Sequence, residues 1–152
     1  MRTSNGGMEI KLKSIGFAKN QEKKHVGGWG EVVTDLVIEK QYQDALLGLD
    51  DYSHLIVIYW MHEVNIQEMR HVPQGKVGVV PEVGIFACRC PQHPNPIGVS
   101  TVRVLGIEDN IITVEGLDII NDTPILDIKP YTPQYDVVDS VKVPDWVNRL
   151  DY

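Results

Sequence analysis

The sequence is short of cysteine, of long apolar runs, of long helical patterns and of positive charge, and each shortage excludes something. A membrane-spanning helix needs about 20 consecutive apolar residues. The longest run here is "LIVIYWM", Leu55 to Met61, which has the length of a strand. The N-terminal "MRTSNGGMEIKLKS" lacks the apolar core of a secretory signal, so a cytoplasmic protein with no membrane partner is expected. Two cysteines, Cys88 and Cys90, cannot make a disulfide framework. Residues two apart in an extended chain sit roughly 6.5–7 Å apart, at the outer limit of disulfide geometry, so free thiols are expected. With 14 basic and 21 acidic side chains the net charge is −7, which disfavours nonspecific nucleic-acid binding. There is no internal repeat or low-complexity tract. Strands do not alternate with helical patterns of about 10–15 residues, which argues against a Rossmann-type sheet. The glycines of "GGWG" (Gly27 to Gly30) precede a strand rather than open a helix, so they lack the context of a phosphate-binding fingerprint.

What is present is mostly strand. The 152 residues, 43% hydrophobic and 23% charged, suit one soluble domain, with a core at 8–133 and a tail at 134–152. "MEIKLKSIGFA" alternates Met8, Ile10 and Leu12 with Glu9, Lys11 and Lys13, the period of a half-buried strand. "GEVVTDLVIE" predicts a second strand, and "SHLIVIYWMH" a central one covered on both faces. Between them Tyr42, Ala45, Leu46 and Leu49 predict a helix of about two turns, stopped at Gly48. Residues 63–75 read as a loop and "GIFACR" as a strand. "IGVSTVRVLGIE" and "NIITVEGLDII" predict a hairpin, "NDTP" a turn, and "ILDIKPY" a last strand. One short helix is expected in the tail, with Pro144 in its first turn. About seven strands with one or two short helices predict an all-β sandwich or barrel.

Chemistry concentrates in three places. "FACRCPQHPNPIG", Phe86 to Gly98, allows a metal site through Cys88, Cys90 and His93, a redox pair, or a rigid loop stiffened by Pro91, Pro94 and Pro96. Zinc pairs are usually spaced Cys-x₂₋₄-Cys and a second half is missing, so no metal is expected. Arg89 enters this loop with a guanidinium suited to a carboxylate. "EGLDIINDTPILDIKPY" carries Asp118, Asp122 and Asp127, of which Asp118 and Asp127 interrupt apolar runs where a charge needs a partner. His62 and Glu63 follow the central strand, a position held by the scaffold and open to solvent.

Side by side, "SIGFAKN", "GLDDYSHLIVIYWMH", "GIFACRCPQHPNPIGVSTVRV" and "EGLDIINDTPILDIKPYTP" resemble the TsaA-like family, the TrmO-type S-adenosylmethionine-dependent tRNA methyltransferases. The resemblance runs from about Ile15 to Pro133. It implies a small antiparallel β-barrel that forms a homodimer and binds S-adenosylmethionine near the subunit interface. The activity it implies is N6-methylation of threonylcarbamoyl-modified adenosine beside the anticodon of tRNA. Members usually carry Arg-Ser-Pro-x-Arg-Pro-Asn-Pro, with a small residue before the first arginine. Here those places hold Cys88, Cys90 and His93; small residues in place of both cysteines elsewhere in the family count against a metal site, so the resemblance implies that the loop is a cofactor wall. The cofactor contacts implied at matching positions are His62, Glu63, Arg89, Val99, Leu117, Asp118, Asn121, Asp122 and Thr123, with His62 and Asp118 as candidate general bases. A methyltransferase with another substrate, and a non-catalytic module binding S-adenosylmethionine, are the alternatives.

Residues 1–24 hold six basic and two acidic side chains, a net of +4, which leaves −11 on the other 128. If tRNA approaches this basic segment, with Arg103 or Lys129 beside it, binding falls steeply with salt. Charge reversal at Lys23 and Lys24 is expected to weaken tRNA binding more than cofactor binding. Filter-binding titrations at several salt concentrations check this, and salt-insensitive binding would contradict it.

Overall fold

Strands with one apolar face must cover that face, and here the sheet does so by closing on itself. The computed structural model describes residues 6–21 and 29–152. Its strands are β1 (Gly16–Lys19), β2 (Val33–Ile38), β3 (His54–Trp60), β4 (Arg70–His71), β5 (Val83–Gly84), β6 (Ile97–Glu108), β7 (Ile111–Glu115) and β8 (Pro124–Pro130). The closed barrel has the order β1-β2-β7-β6-β3-β8, and β4 with β5 makes a separate two-stranded ribbon. Every pairing is antiparallel. The inward residues Leu36, Leu55, Val57, Ile112, Val114 and Ile125 are fully buried. Gly16 makes the closure possible: it pairs with Ile38 on one side and Ile125 on the other, and a Cβ there would run into the carbonyl of Val37.

The expected all-β barrel is therefore observed, with local differences. Residues 8–13 do not form the predicted strand: Met8 makes a single bridge, and Met8, Ile10 and Leu12 are 61–71% exposed, because the barrel's closing ladder runs through Gly16–Lys19. The central strand β3 is buried on one face only, its other face being half-exposed or exposed, as a barrel wall requires. The predicted helix is a 3-10 segment, Lys40–Leu46, followed by Leu49–Asp51. Tyr42, Leu46 and Leu49 still pack on the core, and Gly48 makes the break with φ +83°. Within "GIFACR" only Gly84 is strand; it pairs with Arg70 in the stretch read as a loop, and Ile85–Ala87 is a 3-10 turn. Strand β7 ends at Glu115, short of the predicted run.

The tail holds one helical turn, Pro133–Asp136, and a 3-10 segment, Asp145–Arg149. It returns to its own chain. Gln74 Nε2 donates to the Asp151 carbonyl at 2.7 Å while Asp151 N–H donates to Gln74 Oε1 at 2.9 Å. Lys76 Nζ reaches the Arg149 carbonyl at 2.7 Å and the Asp151 carboxylate at 3.0 Å. No helix among the described residues is long and apolar enough to cross a membrane. Lys23 and Lys24 lie outside the described residues.

The cysteines correct the expectation of free thiols. Cys88 and Cys90 are joined, with Cα atoms 5.2 Å apart, closer than the roughly 6.5–7 Å of an extended chain, because the backbone bends at Arg89 between them. Both sulfurs belong to a small cluster with Ile85 and Val83. So short a loop removes little entropy from the unfolded chain. Replacing the pair (Cys88→Thr with Cys90→Ser) is therefore expected to cost no more than about 2 kcal/mol and to keep both barrel and cofactor binding. Urea unfolding and calorimetric titration check this; a double variant that fails to fold would contradict it.

Candidate functional site

At one end of the barrel, two turns face each other. The first follows β3. Met61 N–H donates to the Pro96 carbonyl at 2.8 Å, and Val64 N–H returns to the Met61 carbonyl at 3.2 Å, so His62 and Glu63 occupy the two corners. The second leads into β8. Thr123 Oγ1 donates to the Ile120 carbonyl at 2.8 Å, and Asp122 sits at φ +65°, the left-handed region that aspartate tolerates. This turn is tied to β1 by Asp122 N–H to the Ala18 carbonyl and Ala18 N–H to the Thr123 carbonyl, both 2.9 Å. Asn20 adds three bonds: its N–H to Asn121 Oδ1 at 2.9 Å, and its Nδ2 to Thr34 Oγ1 and the Ile119 carbonyl, both at 3.0 Å.

Between the turns lies a cleft of about 310 Å³. It brings together His62, Glu63, Asp118 and Thr123 of the residues expected from sequence, with Pro91 from the proline loop. It adds Tyr59, Met61, Val64, Ile119 and Ile120, which sequence reasoning missed. Most of these are apolar and carry no motif signal, whereas Tyr59 is the one inward-facing polar residue of β3.

The other expected residues lie elsewhere. Leu117 is fully buried in the core, so its side chain supports the turn from behind. Arg89 is exposed, and its Nη2 donates to the Val99 carbonyl at 2.6 Å; Val99 itself is 44% exposed. Both residues lie outside the cleft lining, although the Arg89 charge is near enough to act on Tyr59. Asn121 and Asp122 line a second cleft of about 430 Å³ with Phe17, Lys19, Asn20, Asp35, Val37 and Ile111. The turn at 118–123 is thus a wall shared by two clefts.

Asp127 is accounted for structurally. Its Oδ1 accepts from Ile128 N–H at 2.9 Å, and its Oδ2 pairs with Lys129 Nζ at 2.8 Å, which raises the ammonium's pKa. Arg103 likewise faces Glu115, at 3.8 Å. Both cations named with the basic segment therefore stand beside carboxylates. In the proline loop His93 Nε2 donates to the Cys88 carbonyl at 2.8 Å, and its ring lies 5.8 Å from Phe86. His93 is thus engaged in holding the loop. Among the described residues, no three His, Cys, Asp or Glu side chains form a group able to hold a metal ion.

Comparison with known proteins agrees with this architecture. A family model described as the tRNA-methyltransferase O N-terminal domain matches residues 19–137. An S-adenosyl-L-methionine-binding protein of Archaeoglobus fulgidus is 35% identical over 136 residues, covering 86% of this chain and 96% of that protein. A "Probable S-adenosyl-L-methionine-binding protein" of Methanothermobacter thermautotrophicus is 34% identical over 139 residues, covering 88% and 96%. The crystal structure of TrmO from Pseudomonas aeruginosa superposes with a TM-score of 0.74 at 25% identity, covering 91% of this chain. This chain spans 62% of the length of that solved protein. A closed barrel of this strand order, matched by the family model over most of its length, makes the chain a member of the tRNA-methyltransferase O N-terminal domain family.

Proposed function

We propose that this chain binds S-adenosylmethionine in the cleft between the two turns and methylates N6 of threonylcarbamoyl-modified adenosine beside the anticodon of tRNA. The observation that carries this reading is the convergence of His62, Glu63, Asp118 and Thr123 in one cleft, from segments far apart in sequence. Family membership and the relatives' names support it.

The side chains suit the ligand. Its ammonium and ribose hydroxyls are donors, and Glu63 and Asp118 offer carboxylate acceptors. Its adenine suits the aliphatic walls of Val64, Ile119 and Ile120. Its carboxylate suits the guanidinium of Arg89, which has donors beyond the one given to Val99. When bound, S-adenosylmethionine supplies a methyl group already activated on sulfonium. The chain's own contribution is proximity and orientation, with no covalent residue required. His62 and Asp118, both exposed to solvent, are the candidates to accept the proton released by the acceptor amine.

The working unit in this reading is a homodimer. Val137, Val138 and Val141 of the tail are 59–69% exposed, like Met8, Ile10 and Leu12, and a second copy is the occupant that would cover them. The tail's aromatics are divided: Tyr135 and Tyr152 are 87% and 94% exposed and free to join such an interface, while Trp146 is half-buried on its own chain. Lys11, Lys13 and Lys19 are exposed cations available to tRNA.

Mass spectrometry of anticodon-loop nucleosides after incubation with the protein is expected to find the added methyl. S-adenosylmethionine binding without methylation of any tRNA would favour a binding module instead. Arg89→Ala is expected to weaken calorimetric affinity roughly tenfold or more, about 1.5–3 kcal/mol, without unfolding the barrel. Wild-type affinity in that variant would remove Arg89 from the site. Light scattering at micromolar concentration should give the mass of two chains, and a monomer that still methylates tRNA would contradict the dimer.

A further inference from the structure

Strand β3 sends Leu55, Val57 and Tyr59 inward, so Tyr59 is the last inward residue before the first turn of the site. Its neighbourhood is irregular. Against β8 the register steps from Ile58↔Asp127 to Tyr59↔Ile125, a bulge that leaves Leu126 unpaired and re-aims the strand beside the cleft. Against β6 Tyr59 pairs with Gly98, the glycine of the Pro-Asn-Pro-Ile-Gly motif. A Cβ on Gly98 would overlap Cε2 and Cζ of the Tyr59 ring. That motif's glycine is therefore the seat of an aromatic ring, a role its sequence does not announce.

Seated there, the ring is 94% buried, with 6% of its residue surface exposed, and the hydroxyl finds two partners. Ser100 Oγ lies at 3.2 Å and the main-chain carbonyl of Asp118 at 3.3 Å. Both are long for hydroxyl bonds. Burial pushes the Tyr59 pKa up; the Ser100 bond opposes this, the Asp118 carboxylate adds to it, and Arg89 opposes it. Tyr59 is thus a neutral donor near physiological pH.

We propose that Tyr59 is a positioning residue of the ligand site: seated on Gly98, it anchors the Asp118 backbone by its hydroxyl and so fixes where the Asp118 carboxylate meets the ligand. The inference rests on the reading that this cleft binds S-adenosylmethionine. It explains why a bulge, a glycine and a buried tyrosine coincide at this rim of the barrel. Ser100 holds the hydroxyl from the other side, so the ring cannot turn away without losing both partners.

The experiment is a double-mutant cycle on the full chain, read by calorimetric titration with S-adenosylmethionine. Tyr59→Phe keeps the ring on Gly98 and removes only the hydroxyl, so thermal unfolding should stay close to wild type. Its dissociation constant is expected to rise about five- to tenfold, the loss of one such bond. In the Asp118→Asn background the same change should add less than about twofold, because Tyr59 acts through Asp118. Gly98→Ala, which displaces the ring, should weaken binding at least as much as Tyr59→Phe. Unchanged affinity in Tyr59→Phe, or effects that multiply in the double variant, would overturn the positioning role while leaving the binding reading intact. Absence of binding by the wild-type protein would overturn both, and is distinguishable because no variant is needed to see it.

Discussion

Strand β1 has four residues, and the rest of the structure depends on its two edges. One edge pairs with β2 and the other with β8, so this strand closes the barrel. The same strand then continues the ladder beyond β8, through Ala18 to Asp122 and Thr123. The seam that removes the sheet's free edges therefore also fixes the turn that walls both clefts. Asn20, directly after the strand, extends the anchorage to Asn121, Thr34 and Ile119. A site built on the closing seam of a barrel inherits the rigidity of the whole sheet.

Period-two patterning made most of the strands legible, and the β-hairpin at β6–β7 followed from two β-branched runs meeting at a turn. The segment at 8–13 shows the limit of that signal. Its alternation is as regular as that of any strand here, but a strand also needs a partner, and no pattern within the segment reports one. The 3-10 segments at 40–51 show another limit: helical spacing survived, while the short length and Gly48 kept an α-helix from forming.

The site was legible to a different degree in its polar and apolar parts. His62, Glu63, Asp118 and Thr123 stand out as polar residues next to apolar runs, and they do share a cleft. Tyr59, Ile119 and Ile120 look like core, and their second role appears only when the strand ends are brought together. Asn121 and Asp122 share a turn with Asp118 in sequence yet face the other cleft, because reversing the chain within six residues sends neighbouring side chains to opposite sides. Leu117 lies in the core for the same geometric reason.

The central claim is that S-adenosylmethionine occupies the cleft between the 61–64 and 118–123 turns rather than the one beyond the shared wall. Amide chemical-shift perturbation during titration of the labelled protein tests it most directly. The largest shifts are expected at His62, Glu63, Val64, Asp118, Ile119 and Ile120. Shifts confined to Phe17, Lys19, Asp35 and Ile111, with 62–64 unmoved, would place the ligand in the second cleft and contradict it.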